Sequence, residues 1–321
     1  TINDMIEMGF IQEKPLRMIG LHPMMQEITV TDAKPSVTNC RTLLQNLQQI
    51  CLLHGQDTAH YKILFQTIEN AVAILERDDE AFFLLFIEDA IPYMEKYRYE
   101  PGISYLLQEL KIMLSNPNCG KITDRALLLD STALYEDTFH NKTEKAIKIE
   151  KDALALLPEV TAENAHLASN LHANLGGLYK RMKKFDLAKQ HMEQGMMLLE
   201  QYGLTYNNDT VVQAVNYAAL LGDMGQAEQG LSALEKCASV VKKYNSDQCL
   251  DYAAVQEATG YLCLMAGQIK LAEQHFDVVR SIYRSFYAEE PERLTAKEDE
   301  IYQAFVQTGI NIAKTISKRN K

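Results

Sequence analysis

The stretch NLGGLYKRMKKFDLAK, Asn174 to Lys189, sets two adjacent glycines, Gly176 and Gly177, inside an otherwise helical pattern. A glycine in a helix interior costs about 1 kcal/mol against alanine. A neighbour that packs too closely for a side chain at Gly176 or Gly177 explains why the chain accepts that cost. The segments KTEKAIKIEKDAL (142–154), KFDLAKQHMEQGM (184–196), QAEQGLSALEKCA (226–238) and QIKLAEQHFDVVR (268–280) align with it at a fixed interval. A small residue recurs every 42 positions at Ala146, Ala188, Gly230 and Ala272. Seven residues on stand Ala153, Gly195, Cys237 and Val279, and twelve residues before the first set stand Leu134, Gly176, Ala218 and Gly260. Self-similarity at such a period is the signature of stacked supersecondary units. We read helix A carrying the glycine, a turn at Lys183-Lys184, Gly225-Gln226 or Gly267-Gln268, and helix B carrying the alanine. Small residues facing each other let the two backbones approach, and added bulk there is expected to overpack the contact.

LG-x-LY, an aromatic at Phe185, then Ala188, with Pro158 closing the preceding unit, resembles the tetratricopeptide repeat, as do residues 125–285 more broadly. The period exceeds the family's usual length of about 34 residues. It matches the longer helices of the kinesin-light-chain-like and bacterial peptide-sensor versions. The resemblance implies an all-α, right-handed tetratricopeptide-type solenoid of helical hairpins. Residues 33–120 read as degenerate helices of the same stacking kind, and 121–321 as the solenoid proper. The amphipathic EDEIYQAFVQTGINIAKTISKRNK at the end reads as its cap.

Residues 1–32 do not fit the period. In NDMIEMGFIQEKPLRMIGLHPMMQEIT (3–29), a helix ends near Gly9, Phe10–Gln12 and Arg17–Leu21 pair across Glu13-Lys14-Pro15, and a helix restarts near His22-Pro23. Helix, hairpin, helix is similar to the winged-helix tail of the NB-ARC module in bacterial STAND signalling ATPases. The resemblance implies a nucleotide-sensing role in the parent protein for His22 alone, with proline where that family has aspartate. No G-x-x-x-x-G-K-[ST] occurs, so this chain is not expected to hydrolyse ATP. It opens on Thr1 in mid-pattern, which leads us to expect a portion upstream.

Composition narrows the function. A net charge of −11 disfavours nucleic acid, whose binding relies on a lysine and arginine excess. No window holds the roughly 18 uncharged apolar residues of a membrane helix. Six cysteines without a CxxC pair read as small buried hydrophobes in the cytoplasm. Eight histidines show no metal-ligand spacing, His54/His60 and His166/His172 each being six apart. No metal, cofactor or enzymatic activity is expected. Met24-Met25 and Met196-Met197 read as packing, and Arg181, Lys183 and Lys184 as a solvated corner.

One signal stands out. Asn170 and Asn174 lie on one helix A, and Asn216 stands 42 after Asn174 on the next. Asparagine is a poor helix former, so its reuse at one phase asks for a reason. It either ties neighbouring helices or offers donor and acceptor to a peptide backbone. Lys180, Arg181, Glu257 and Tyr261 would supply side-chain selectivity. Related peptide-sensing repeat proteins imply the second use, with a peptide or protein segment as partner. The rival is a scaffold packing against its own ATPase domain or another copy.

Overall fold

A computed structural model describes residues 2–8, 11–14, 18–23, 34–52, 61–204 and 206–319. Among them the chain is all-α except for one hairpin and an isolated parallel bridge between Ser36 and Glu76. Contacts divide it into two units, Thr1–His140 and Asn141–Lys321.

In the first unit, α1 (Ile2–Glu7) precedes β1 (Ile11–Lys14) and β2 (Met18–Leu21). The strands pair antiparallel with Ile11 opposite Leu21 and Lys14 opposite Met18, close to the expected hairpin. The rest of the expected winged helix beyond Pro23, with Met24-Met25, lies outside the described residues, as do His54 and His60. Five helices follow: α2 (Arg41–Leu52), α3 (Tyr61–Ile74), α4 (Glu80–Lys96), α5 (Glu100–Leu114) and α6 (Ile122–His140). Asp79 starts α4 by accepting the Phe82 N–H at 3.1 Å, which satisfies one of the donors a helix N-terminus leaves open. Phe83, Phe86, Ile87, Ala90, Ile91 and Met94 bury more than one side of α4, making it the central helix of this unit. Phe65 anchors an aromatic cluster, with Tyr99 stacked at 4.8 Å and Tyr93 edge-on at 5.6 Å. Helix α6, which the repeat phase counts as a helix A, packs on α5 and belongs to this unit.

The second unit begins with α7 (Thr143–Ala155), a helix B. Three complete hairpins follow: α8 (Ala165–Arg181) with α9 (Phe185–Gln201), α10 (Asn208–Asp223) with α11 (Ala227–Tyr244), and α12 (Leu250–Met265) with α13 (Ile269–Phe286). Ala146, Ala188 and Ala272 are fully buried, as is Ala218, and Gly176, Gly230 and Gly260 are buried at the matching contacts. A Cβ on Gly176 would stand 2.5 Å from Met192 Cγ and 3.2 Å from the Ala188 carbonyl oxygen, whereas one on Gly177 would meet nothing within 4 Å. Of the two glycines, only Gly176 admits the neighbouring helix.

The A–B turns obey the period as well. Asn141, Lys183, Gly225 and Gly267, each 42 apart, all hold the left-handed conformation, at φ 55°, 59°, 75° and 74°. In the last three the following amide reaches back to close helix A: Lys184 N–H to Tyr179 O, Gln226 to Leu221 and Gln268 to Cys263, at 2.8–2.9 Å. This is the Schellman geometry, which favours glycine because L side chains strain at positive φ.

Helix α14 (Pro291–Arg319) takes the position of a further helix A and covers the last hairpin. Ile301 is fully buried, Phe305 meets Phe276 edge-on at 5.6 Å, and Arg280 on α13 binds Glu298 at 2.8 Å.

Candidate functional site

The 42-residue phase lines up partly exposed positions on successive A helices. Asn170, Asn174 and Gly177 on α8 correspond to Val212, Asn216 and Ala219 on α10, and to Ala254, Ala258 and Tyr261 on α12. All nine are half-buried or exposed, and the six on α8 and α10 are alanine, valine, asparagine or glycine, small enough to leave backbone-sized room. Asn174 is half-buried and Asn216 exposed at the same phase, so the structure places the two asparagines as equivalents on neighbouring helices.

Asn170 belongs to a polar chain linking α8, α9 and α10. The buried Ser169 hydroxyl donates to the Gly195 carbonyl at 2.9 Å. Gln213 Nε2 donates to Ser169 Oγ at 2.9 Å and to Asn170 Oδ1 at 3.1 Å. Asn170 Nδ2 donates to Asp209 at 3.3 Å, and His166 Nε2 lies 2.8 Å from the same carboxylate oxygen. That hydrogen bond raises the His166 pKa and lowers that of Asp209, a consistent ion pair. Every polar group in the buried part of this chain of contacts has a partner, as burial requires. Asn170 therefore ties helices, the first of the two uses weighed for it.

The flanking residues separate into two sets. Lys180 pairs with Asp223 at 3.1 Å between the C-terminal ends of α8 and α10, and Arg181 is exposed beside it. Glu257 and Tyr261 lie on α12, where Lys297 from α14 binds Glu257 at 2.9 Å and the Tyr261 hydroxyl donates to Glu257 at 3.4 Å. The covering helix thus occupies Glu257. The structure does not gather all seven expected residues into one open surface. His22 is half-buried immediately after β2.

Sequence reading missed the polar contacts between A and B helices. His172 Nδ1 on α8 lies 3.0 Å from His191 Nδ1 on α9, and 84 residues on, Gln256 Oε1 on α12 lies 2.6 Å from His275 Nδ1 on α13. An A residue and the B residue 19 later face each other, a spacing visible once the period is known. Burial and then His191 push the His172 pKa down to about 4, and burial followed by Lys151 lowers that of His191. Burial lowers His275 too. In the first unit the burial of Glu88, with Asp124 and Asp89 nearby, raises its pKa to about 8, and burial with Asp130 raises Glu95 to about 7.

These shifts set opposite pH responses. A histidine whose pKa drops on folding leaves the unfolded chain binding more protons below its ordinary value of 6.5, so stability is lost as pH falls toward 4. A carboxyl raised on folding does the reverse, and its contribution is lost as pH rises from the ordinary 4.5 toward 8. His166, raised by Asp209, works against the three lowered histidines but is outnumbered. Hydrogen exchange resolved by segment is expected to show residues 141–321 loosening between pH 6.5 and 4 while residues 61–140 loosen between pH 4.5 and 8. His172→Gln, which copies the Gln256–His275 pairing, should flatten the first trend. Parallel pH profiles in the two units would contradict this assignment.

No group of three or more histidine, cysteine, aspartate or glutamate side chains among the described residues is placed to hold a metal ion. The cysteines are all unbridged. No described helix is long and apolar enough to cross a membrane.

Comparison with known proteins places this architecture. The tetratricopeptide repeat profile matches residues 210–285, from α10 through α13. Among curated proteins none matches significantly. BtubC (BKLC) from P. vanneervenii superposes with a TM-score of 0.56 at 15% identity, over 72% of this chain and 93% of that one. The apo form of RapI gives 0.53 at 17% identity, over 85% and 74%. A putative kinesin light chain with nearly identical TPR-like repeats, from Podosopora anserina, gives 0.51 at 13%, over 65% and 98%. At these identities the likeness concerns the fold alone: the chain is a helical-hairpin solenoid of tetratricopeptide type, with its repeat match in residues 210–285.

Proposed function

We propose that the chain is a protein-binding module whose partly exposed A-helix face holds an extended peptide or protein segment by its main chain. The observation that carries this reading is the asparagine pair. Asn174 and Asn216 hold one phase on adjacent A helices, where packed helices run about 8–10 Å apart. An amide presents a donor and an acceptor together, matching the N–H and C=O of a peptide unit without regard to its side chain. Small neighbours, Gly177, Ala219 and Ala173, leave room for a backbone to approach. Lys180, Asp223 and Arg181 at one end supply charge of both signs. The function is binding rather than catalysis, and the reading needs no cofactor.

The finer assignment is a sensor within a larger bacterial signalling ATPase or regulator in the cytoplasm. It rests on the residues resembling a winged-helix tail, whose hairpin forms at Ile11–Lys14 and Met18–Leu21 with His22 following. In that setting the parent's ATPase domain is a second candidate partner, and His22 its nucleotide-sensing residue.

Panning a random heptapeptide display library on the purified chain tests the binding face. Recovered peptides should lose binding to the Asn174→Ala/Asn216→Ala double variant by about tenfold or more, the effect of one or two lost hydrogen bonds. The variant should melt at or slightly above the parent, since alanine is the better helix former. Peptides that bind both forms equally would remove the asparagines from the site.

A further inference from the structure

A second site lies on the opposite side of the hairpins, between the B helices α11 and α13 over helix A α12. A groove of about 440 Å³ opens there, lined by Leu231, Leu234 and Glu235 from α11, Thr259 from α12, and Leu271 and His275 from α13. Its size falls within the usual range of ligand pockets.

The preceding repeat shows what belongs in such a groove. Thr259 is the counterpart of Tyr217, 42 residues earlier, and Glu235 the counterpart of Glu193. On α10 the Tyr217 ring lies half-buried and its hydroxyl donates to Glu193 Oε1 of α9 at 2.7 Å. Burial and then this hydrogen bond raise the Tyr217 pKa, so the phenol stays a donor. One repeat on, the carboxylate is kept and the phenol is missing. The half-buried Lys189 of the first repeat becomes Leu231 in the second, which makes the second groove more apolar. Tyr252, nearly buried beneath Lys242 with the ammonium 5.0 Å from its ring centre, adds an aromatic wall. The charge at Glu235 calls for a hydrogen-bond donor, and the leucines call for an apolar body ahead of it.

We propose that this groove receives the tyrosine side chain of a partner protein segment, its ring against Leu231 and Leu271 and its hydroxyl donating to the Glu235 carboxylate. Tyr217 performs the same contact within the chain. The site is separate from the asparagine face and does not depend on it, so Asn174→Ala/Asn216→Ala should leave it unchanged.

Capped tripeptides, acetyl-Ala-Tyr-Ala-amide and its phenylalanine equivalent, test this at millimolar concentration with methyl NMR on the full chain. The tyrosine peptide should shift the methyls of Leu231 and Leu271 in the wild type, and the phenylalanine peptide should bind about tenfold more weakly for want of a charge-assisted hydrogen bond. Glu235→Gln, a change at an exposed residue, should erase most of that preference. Thr259→Tyr should fill the groove from within, abolish binding of both peptides and raise the melting temperature. Absence of shifts at these methyls, equal binding of the two peptides, an unchanged preference in Glu235→Gln, or binding that survives Thr259→Tyr would each overturn the proposal. A Thr259→Tyr chain that fails to fold would overturn it as well, because the repeat equivalence would then be false.

Discussion

Replacing Phe276 by alanine is expected to cost about 3–5 kcal/mol, the range for deleting a buried aromatic ring. Phe276 is fully buried on α13 and touches both α12 and α14. Its ring covers Gly260, where a Cβ would fall 2.8 Å from the ring atoms, and it meets Tyr261 edge-on at 5.4 Å and Phe305 of α14 at 5.6 Å. The loss should appear in denaturant titration of the whole chain. Hydrogen exchange should place it in α12, α13 and the first turns of α14. A loss below about 1 kcal/mol would mean that the covering helix does not share this core, since even partial collapse leaves a cavity cost.

The second large effect tests the A–B contact. Ala188→Leu should destabilise by about 1–3 kcal/mol through overpacking. Ala188 has no exposed surface, and its carbonyl oxygen lies 3.2 Å from where a Cβ on Gly176 would stand, so the two backbones leave no space for three added carbons. The adjacent glycines sharpen this. Gly177→Ala should stabilise by up to about 1 kcal/mol, the helix-propensity gain with nothing to clash. Gly176→Ala should forfeit that gain, because its Cβ would force Met192 to move. Lys184→Leu, at an exposed position, should stay within about half a kcal/mol. Equal melting temperatures for Ala188→Leu and Lys184→Leu would refute the register.

The repeat was legible because packing imposes it on small residues. A glycine or alanine at the A–B crossing cannot be exchanged for a larger residue without strain, so the 42-residue interval survives at Gly176, Ala188, Ala218 and Ala272. The turn phase was legible for a related reason, glycine tolerating the positive φ at Gly225 and Gly267; Lys183 holds the same conformation without that signature. The polar contacts were not legible, since each uses a different residue pair at the same place. His172–His191, Gln256–His275 and the pair Ala214 and Ala233 share positions and no chemistry. For the asparagines the sequence could show the shared phase of Asn174 and Asn216 but could not show the ties of Asn170. Those depend on Gln213 and Asp209, which reach it from the next repeat. The reach of Lys297 to Glu257 across 40 residues leaves no mark in the local pattern.

The central claim is that the partly exposed A-helix face binds a peptide along Asn174 and Asn216. Side-chain amide NMR on the full chain, titrated with a display-selected heptapeptide, tests it most directly. The account predicts that the NH₂ signals of Asn174 and Asn216 shift together and saturate at one peptide concentration. Saturable binding that leaves the Asn174 and Asn216 amides unmoved would contradict it.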